Sequence, residues 1–194
     1  MRVAFADDNH RMAVGCISAK DGQLASAIYM LDTHKNTVTA VYQADAGSAL
    51  LDLKWISNSQ VLCIYDNFAC VLNPTTGAEL CRFSYGGAAV ASVSVYGRTA
   101  ALLLSTRSGS RLVVLNDRMN ALLDTTVAAA NRVTVTHNSV YLLRDGTVER
   151  MDLKGESQWV QSFDTKPQFL LNAEQLLLFV DSSAQVLAAP AAEK

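Results

Sequence analysis

Apolar residues come in short runs along this chain, separated by groups of Asp, Asn, Gly, Ser and Thr about every 8 to 12 positions. The runs are rich in Val, Leu and Tyr, which favour β-strands. No segment of about 11 or more residues has the apolar spacing of a helix. The pattern therefore predicts an all-β chain of many short strands.

One strand-turn-strand segment occurs four times without a gap, at residues 29–43, 70–84, 113–127 and 149–163. Each turn begins with an Asp or Asn, whose short side chain can bond the backbone two residues further on. Gly or Asn, which tolerate positive φ, follow at most of these turns. The four turn-opening residues are Asp32, Asn73, Asn116 and Asp152. The chain is therefore predicted to repeat one hairpin.

Two further strands precede each hairpin. The turn-opening residues lie 41, 43 and 36 positions apart, close to the roughly 40 residues of a four-stranded propeller blade. Segments 60–66, 139–145 and 175–181 align without gaps as second strands, and each ends in Asp. First strands are predicted at residues 51–56, 91–95, 133–136 and 169–171. The first and third units carry a longer second connection, at residues 19–22 and 106–109.

The repeat predicts an all-β fold, a β-propeller of four four-stranded blades plus an incomplete fifth. Residues 1–194 are interpreted as a single β-propeller or a fragment of a larger one. A β-sandwich could share these strands but not a gapless repeat, and a β-solenoid needs a shorter period. The blades are predicted at about residues 3–45, 50–85, 90–129, 132–163 and, with three strands only, 168–189.

The charge balance offers no surface for a polyanion. The formal net charge is −2, and 18% of the residues are charged. The densest basic group, Arg107, Arg111 and Arg118, lies beside Asp117 and Asp124, which is typical of a mixed-charge rim. No window reaches the roughly 18 apolar residues of a membrane span, and the first residues do not form a signal peptide. We expect no nucleic-acid partner and no membrane span in this chain.

Two stretches carry a resemblance to known propellers. Residues 63–73, Cys-Ile-Tyr-Asp-Asn-Phe-Ala-Cys-Val-Leu-Asn, are followed by Pro-Thr-Thr-Gly-Ala-Glu-Leu, and the chain opens with a similar unit at residues 2–14. Both resemble WD-repeat-like and quinoprotein-like propellers. The paired Gly-His and Trp-Asp of true WD repeats and the stacked Trp of quinone-binding blades are absent.

More narrowly, the chain resembles the C-terminal blades of an uncharacterised bacterial (Firmicute-type) β-propeller family. Members of that family commonly carry an N-terminal membrane helix ahead of the blades. The resemblance implies an extracytoplasmic, membrane-anchored full-length protein with further sequence upstream of this chain. The localisation is otherwise unknown.

Three cysteines form the one local group with possible chemistry. If Asp66 and Asn67 form a two-residue loop, Cys63 faces Cys70 and Tyr65 faces Phe68. If residues 74–77 form a four-residue loop, Cys70 faces Cys81 as well. Such a row could be a redox-labile disulfide, a soft-metal site lacking a fourth ligand, or small apolar residues packed between blades. The redox state of Cys63, Cys70 and Cys81 is left open.

The remaining polar candidates predict no site. His10, His34 and His137 lie in or beside turns and share no register, which argues against a ligand triad. Asp66, Asp145 and Asp181 occupy equivalent positions, so the favoured interpretation is turn formation, and the alternative is a pair of glycosidase carboxylates. No catalytic, cofactor-binding or metal-binding residue is predicted, and no cofactor is expected.

Three functions remain at this point, with enzyme activity uncertain and not favoured. The favoured one is a non-enzymatic binding or scaffold domain for a protein, peptide or glycan. The second is a propeller enzyme, a hydrolase, lyase or quinone-dependent oxidoreductase, with active residues partly outside this chain. The third is a structural segment that completes its ring with another chain, self-associating through the open edge of the last blade.

Overall fold

The computed structural model describes residues 1–20, 22–107, 109–163, 169–173, 176–180 and 186–190. Their regular structure is entirely β, with nineteen strands in five antiparallel sheets. Among these residues no helix is long and apolar enough to cross a membrane. The predicted all-β class is confirmed.

The chain divides into two compact units. One comprises Met1–Ala89 and Asp117–Asn120, and the other comprises the rest of the described chain. The first unit holds two sheets, each with its strands in chain order. The first sheet contains β1 (Arg2–Phe5), β2 (Arg11–Lys20), β3 (Gln23–Asp32) and β4 (Thr37–Gln43), and the second contains β5 (Leu50–Ser57), β6 (Gln60–Tyr65), β7 (Phe68–Leu72) and β8 (Glu79–Ser84).

The second unit holds the other three sheets. The fifth has three strands, as predicted, and Asp181 lies outside the described residues. The third sheet contains β9 (Ala89–Tyr96), β10 (Thr99–Thr106), β11 (Gly109–Leu115) and β12 (Ala121–Val127). The fourth contains β13 (Arg132–Val135), β14 (Ser139–Arg144), β15 (Thr147–Asp152) and β16 (Ser157–Ser162). The fifth contains β17 (Phe169–Ala173), β18 (Leu176–Val180) and β19 (Val186–Pro190).

In the first unit, one face of the first sheet packs on one face of the second. Small residues on β1 and β2 let the sheets approach closely, and Gly15 leaves no room for a Cβ beside Leu50. The Nε1 of Trp55 on β5 donates a hydrogen bond to the Ala4 carbonyl on β1 at 3.1 Å. The shared core contains Ala4, Ala13, Ile28, Met30, Leu53, Trp55, Val61, Cys63, Tyr65, Phe68, Cys70 and Leu72.

The second unit repeats this packing between the third and fourth sheets. The backbone N–H groups of Val133 and Val135 donate to the Ser92 and Ser94 hydroxyls at 3.2 and 3.0 Å. These bonds align β13 with β9 over an apolar core. That core includes Ala101, Leu103, Leu112, Val114, Leu123, Val127, Val133, Val135, Val140, Leu142 and Met151.

Each complete sheet has a β-bulge where its third strand meets its fourth. In the second sheet Leu72 pairs with Glu79 and Val71 with Cys81, so Leu80 is the extra residue. The same shift occurs at Met30/Leu31, Val114/Leu115 and Arg150/Met151. A bulge offsets the outer strand by one residue, which reverses the face of each later side chain.

The expected longer connections in the first and third units are wrong. The extra residues extend the strands instead, because Lys20 pairs with Gln23 and Thr106 pairs with Gly109. Asp21 and Ser108 lie outside the described residues. The insertions therefore lengthen two hairpins of the sheets.

Candidate functional site

The predicted pairing of Cys63 with Cys70 is confirmed. The two residues are opposite each other on β6 and β7, both side chains are fully buried, and both thiols are free. The Tyr65 and Phe68 rings stack beside them, with centroids 4.5 Å apart. Burial raises the pKa of the Cys63 thiol well above its usual value, and the adjacent Cys70 raises it further. Cys63 therefore stays protonated at physiological pH, and the two cysteine side chains pack as small apolar groups.

The predicted third member of the cysteine row is wrong. Because of the bulge in β8, Cys81 faces Val71, while Arg82 faces Cys70. The Cys81 sulfur lies 3.8 Å from the Asp117 carbonyl oxygen. Within the part of the chain that the structure describes, no three His, Cys, Asp or Glu residues are placed to hold a metal ion.

A polar group, the Arg82 cluster, closes the outer rim between the first two sheets. The Arg82 guanidinium donates to both carboxylate oxygens of Glu79, at 2.9 and 2.7 Å, and pairs with Asp45. The Tyr42 hydroxyl on β4 donates to Glu79 at 2.7 Å. The guanidinium also lies 3.9 Å from the Phe68 ring centroid. We define the Arg82 cluster as Tyr42, Asp45, Phe68, Glu79 and Arg82.

The electrostatics of the Arg82 cluster indicate a structural role. The hydrogen bond from Arg82 lowers the pKa of Glu79, so this carboxylate stays ionised. Burial raises the pKa of Tyr42, and its hydrogen bond to Glu79 acts in the same direction. A tyrosine held neutral and a carboxylate held by an arginine do not make a base suited to neutral pH. The cluster joins two sheets, and the sequence offered no sign of it because its members belong to different repeats.

His10 and His34 lie together, contrary to the prediction that they share no register. Their ring centroids are 3.9 Å apart, with the planes tilted by 59°. The β1–β2 turn and the β3–β4 turn leave the sheet at the same end. Thr33 joins them, its N–H donating to the His10 carbonyl at 2.8 Å. His137 lies in the β13–β14 turn of the other unit. The structure thus forms an exposed histidine pair.

The repeated Asp and Asn residues build turns. Oδ1 of Asp32, Asn73 and Asp152 each accepts two backbone N–H bonds from the residues that follow. Asp66 Oδ1 accepts the Ala49 N–H at 2.9 Å, which ties the β6–β7 turn to the start of β5. Asp145 lies in the β14–β15 turn.

A buried ion pair in the fourth sheet was also missed. Glu149 on β15 occupies the repeat position of Cys70, is 8% exposed and pairs with Arg144 at 2.5 Å. The equivalent residues in the other repeats are Tyr29, Cys70 and Val113, so the repeat gives no reason to expect a carboxylate at this position. The two charges neutralise each other, so the pair contributes to packing of the sheet.

One face of the first sheet is apolar and exposed. We call it the first-sheet face. Phe5, Tyr29 and Val41 on it are 58%, 38% and 50% exposed. Its main apolar residues are Val3, Phe5, Met12, Val14, Cys16, Ala27, Tyr29, Leu31, Val38 and Val41. By the same register the face ends in polar residues, Ser18 and Lys20 on β2, Gln23 on β3 and Gln43 on β4.

The strand register shows that the residues of the first-sheet face are equivalent to buried residues of the second sheet. Met12 pairs with Leu31 and Val14 with Tyr29, as Val61 pairs with Leu72 and Cys63 with Cys70 in the next repeat. These second-sheet equivalents are 0% exposed and belong to the core shared with the first sheet. The first-sheet face thus has the composition of a sheet-packing surface without a described cover.

Comparison with solved structures identifies the fold. The chain is similar to the WD40 domain of Neurospora crassa Pan2 (TM-score 0.67, 12% identity, 100% of this chain and 63% of that chain). It is similar to BamB from Moraxella catarrhalis (TM-score 0.61, 15% identity, 97% and 57%). It is also similar to the C-terminal WD40 domain of Sif2 (TM-score 0.69, 14% identity, 97% and 57%). No family model and no curated protein matches the sequence.

These likenesses establish a β-propeller fold, as the sequence predicted. At 12–15% identity they carry the fold and no more. The chain spans 57–63% of the length of these three structures.

Proposed function

We propose that this chain is a non-enzymatic protein-binding scaffold built from propeller blades. The observation that supports it is the first-sheet face, which is apolar, exposed and equivalent by register to a buried packing surface. Contiguous apolar patches of this kind mark protein contacts on soluble proteins. A flat apolar face suits a protein better than a glycan, which needs polar partners for its hydroxyls.

The polar groups described above favour binding over catalysis. Glu79 is held by Arg82, Glu149 by Arg144, and the repeated Asp and Asn side chains by turn N–H groups. Enzyme activity, as a hydrolase or quinone-dependent oxidoreductase, would then require residues of a longer protein.

A second candidate is a structural segment that completes a ring with another chain. It is favoured by the three-stranded fifth sheet, in which β19 pairs with β18 and forms an edge. An unpaired edge can accept a strand from another polypeptide. In this reading residues 1–194 form a propeller, or a fragment of one, in a bacterial, Firmicute-type, extracytoplasmic protein.

A peptide-display selection against the wild-type protein tests the favoured proposal. We expect selected peptides whose binding is weakened at least about tenfold by Tyr29→Lys combined with Val41→Lys. Leu80→Lys is the matched control, since Leu80 and Val41 are both 50% exposed on outer strands. Equal binding of all selected peptides to the wild type and the double variant would reject the first-sheet face as a binding surface.

A further inference from the structure

We propose that the first-sheet face binds the same face of a second copy of this chain, so that two copies associate through their first sheets. This inference rests on the proposed function, because it names the protein partner of that surface. The argument uses the register, the composition of the outer strand and the exposed area.

By register, the first-sheet face corresponds to the face of the second sheet that packs against the first sheet. Val3 and Phe5 on β1 are the equivalents of Leu53 and Trp55 on β5, because each pair faces equivalent positions on the neighbouring strand. Leu53 and Trp55 are buried in the contact between the first two sheets. The first-sheet face therefore has the side chains for sheet-on-sheet packing across its first three strands.

The outer strand distinguishes this face from its second-sheet equivalent. Val38 pairs with Leu31 and Val41 with Tyr29, at the positions that Glu79 and Arg82 occupy opposite Leu72 and Cys70. Two valines of the first sheet thus occupy the positions that Glu79 and Arg82 occupy in the second sheet. On the outer strand the face therefore presents Val38 and Val41, followed by the uncharged Gln43.

Val38 and Val41 disfavour one kind of sheet as a partner and favour another. A partner resembling the inner side of the first sheet would bring the equivalents of Tyr42 and Asp45, which bond Arg82 in the existing contact. Over valines those polar groups would lose solvent without gaining a bond, at a cost in free energy. A second copy of the first-sheet face brings neither group, so no tyrosine hydroxyl or carboxylate is buried without a partner over the two valines. A two-fold axis places such a surface on itself.

The exposed area is sufficient for a weak dimer. The apolar side chains of the face expose on the order of 600 Å², the upper end of what monomers leave uncovered. Two copies would bury roughly 1,200 Å², the lower limit of specific interfaces. We therefore expect dissociation constants on the order of micromolar.

Sedimentation equilibrium of the full chain tests the proposal, over about 1 to 200 µM protein to bracket micromolar affinity. Reductant is included because Cys16 lies on the face and could form a disulfide between copies. We expect a reversible dimer whose affinity falls at least about tenfold in Val41→Lys and which is undetectable in Tyr29→Lys combined with Val41→Lys. Leu80→Lys should keep the wild-type affinity.

Three outcomes overturn the proposal, provided that circular dichroism shows folded variants. The first is a wild-type protein that is monomeric throughout the range. The second is a dimer that persists in the double variant, which would place the contact elsewhere, such as at β19. The third is a dimer that dissociates as salt rises, because apolar contacts do not weaken with ionic strength as ion pairs do.

The two proposals fail separately. A monomeric protein whose display-selected peptides bind the wild type but not the double variant rejects self-association and keeps the binding function. Peptides that bind both proteins equally reject the binding function of the face, whatever the oligomeric state.

Discussion

At the scale of single residues, position in the repeat decides the chemistry that a side chain can perform. Cys70, Glu149 and Tyr29 occupy one repeat position, yet they are a buried thiol, a buried carboxylate paired with Arg144, and an exposed phenol. Each is compatible with its surroundings because its neighbours differ. A residue type alone therefore does not indicate function in this fold.

The buried thiol of Cys63 leads to a prediction about pH. An unfolded cysteine ionises near the ordinary pKa of 9.0, whereas the folded Cys63 thiol has a raised pKa and stays protonated. Its contribution to stability is present below pH 9 and is lost as the pH rises toward the folded pKa. We expect the wild type to lose about 1.4 kcal/mol more than Cys63→Ala between pH 8 and pH 10.

Urea unfolding of both proteins at each pH measures this difference. The comparison with Cys63→Ala removes the contributions of other alkaline groups, since Tyr65 and Tyr85 are also buried with raised pKa values. Equal losses in the two proteins would contradict the assignment of a protonated, buried Cys63.

At the scale of elements, the turns hold neighbouring sheets together. Gly77 in the β7–β8 turn has φ +72°, and a Cβ built there would lie 2.7 Å from the Val41 carbonyl oxygen on β4. Gly86 has a similar φ of +67° and open space around it. Comparing substitutions at these two glycines therefore separates the cost of a left-handed backbone conformation from the cost of contact with a neighbouring backbone.

Gly77→Ala should therefore destabilise the protein more than Gly86→Ala. Both substitutions place alanine in a left-handed conformation, which costs about 1–2 kcal/mol. Gly77→Ala must in addition displace the β4 backbone, so we expect a further cost of roughly 1–2 kcal/mol. The difference in free energy of unfolding in urea measures it. Equal costs would mean that β4 moves freely away from the turn.

The elements themselves were predictable, and the bulges were not. Alternation and turn residues placed β6 and β14 within a residue or two, because their signals are local. The position of Cys81 depends on an extra residue in β8, which alternation counted from the turn cannot reveal. Comparing the repeats does not reveal it either, because the bulge residue follows the turn-opening residue by seven positions in Thr39 and Leu80 but by six in Leu122 and Gln158.

The site was less predictable than the fold. Residues 25–31 look as apolar as the equivalents of the second sheet, so the sequence indicates burial for Tyr29 and Leu31. Whether a face is covered depends on which sheet lies against it, which is a property of the assembled chain. The closeness of His10 and His34 likewise depends on two turns leaving one end of a sheet.

At the scale of the whole molecule, association and stability are linked. A partner that binds only the folded state stabilises it by RT ln(1 + [L]/Kd), about 2.7 kcal/mol when the free partner is at 100 times Kd. If the second copy is that partner, the protein is its own stabilising ligand.

The apparent Tm of the wild type should therefore rise with protein concentration. For a chain of this size each 1 kcal/mol corresponds to about 2–4 °C. Differential scanning calorimetry over a hundredfold range of concentration, in reductant, measures the shift. Tyr29→Lys combined with Val41→Lys should show none, and a shift of equal size in that variant would contradict the linkage.

The bulge in the fourth strand of each complete sheet also limits how this protein can aggregate. A bulge interrupts the regular spacing of N–H and C=O groups and increases the local twist, so an incoming strand cannot continue the ladder in register. β4, β8, β12 and β16 each carry this interruption. Fibril-like growth from these four rims is therefore disfavoured, and stable assembly is left to the packing of faces.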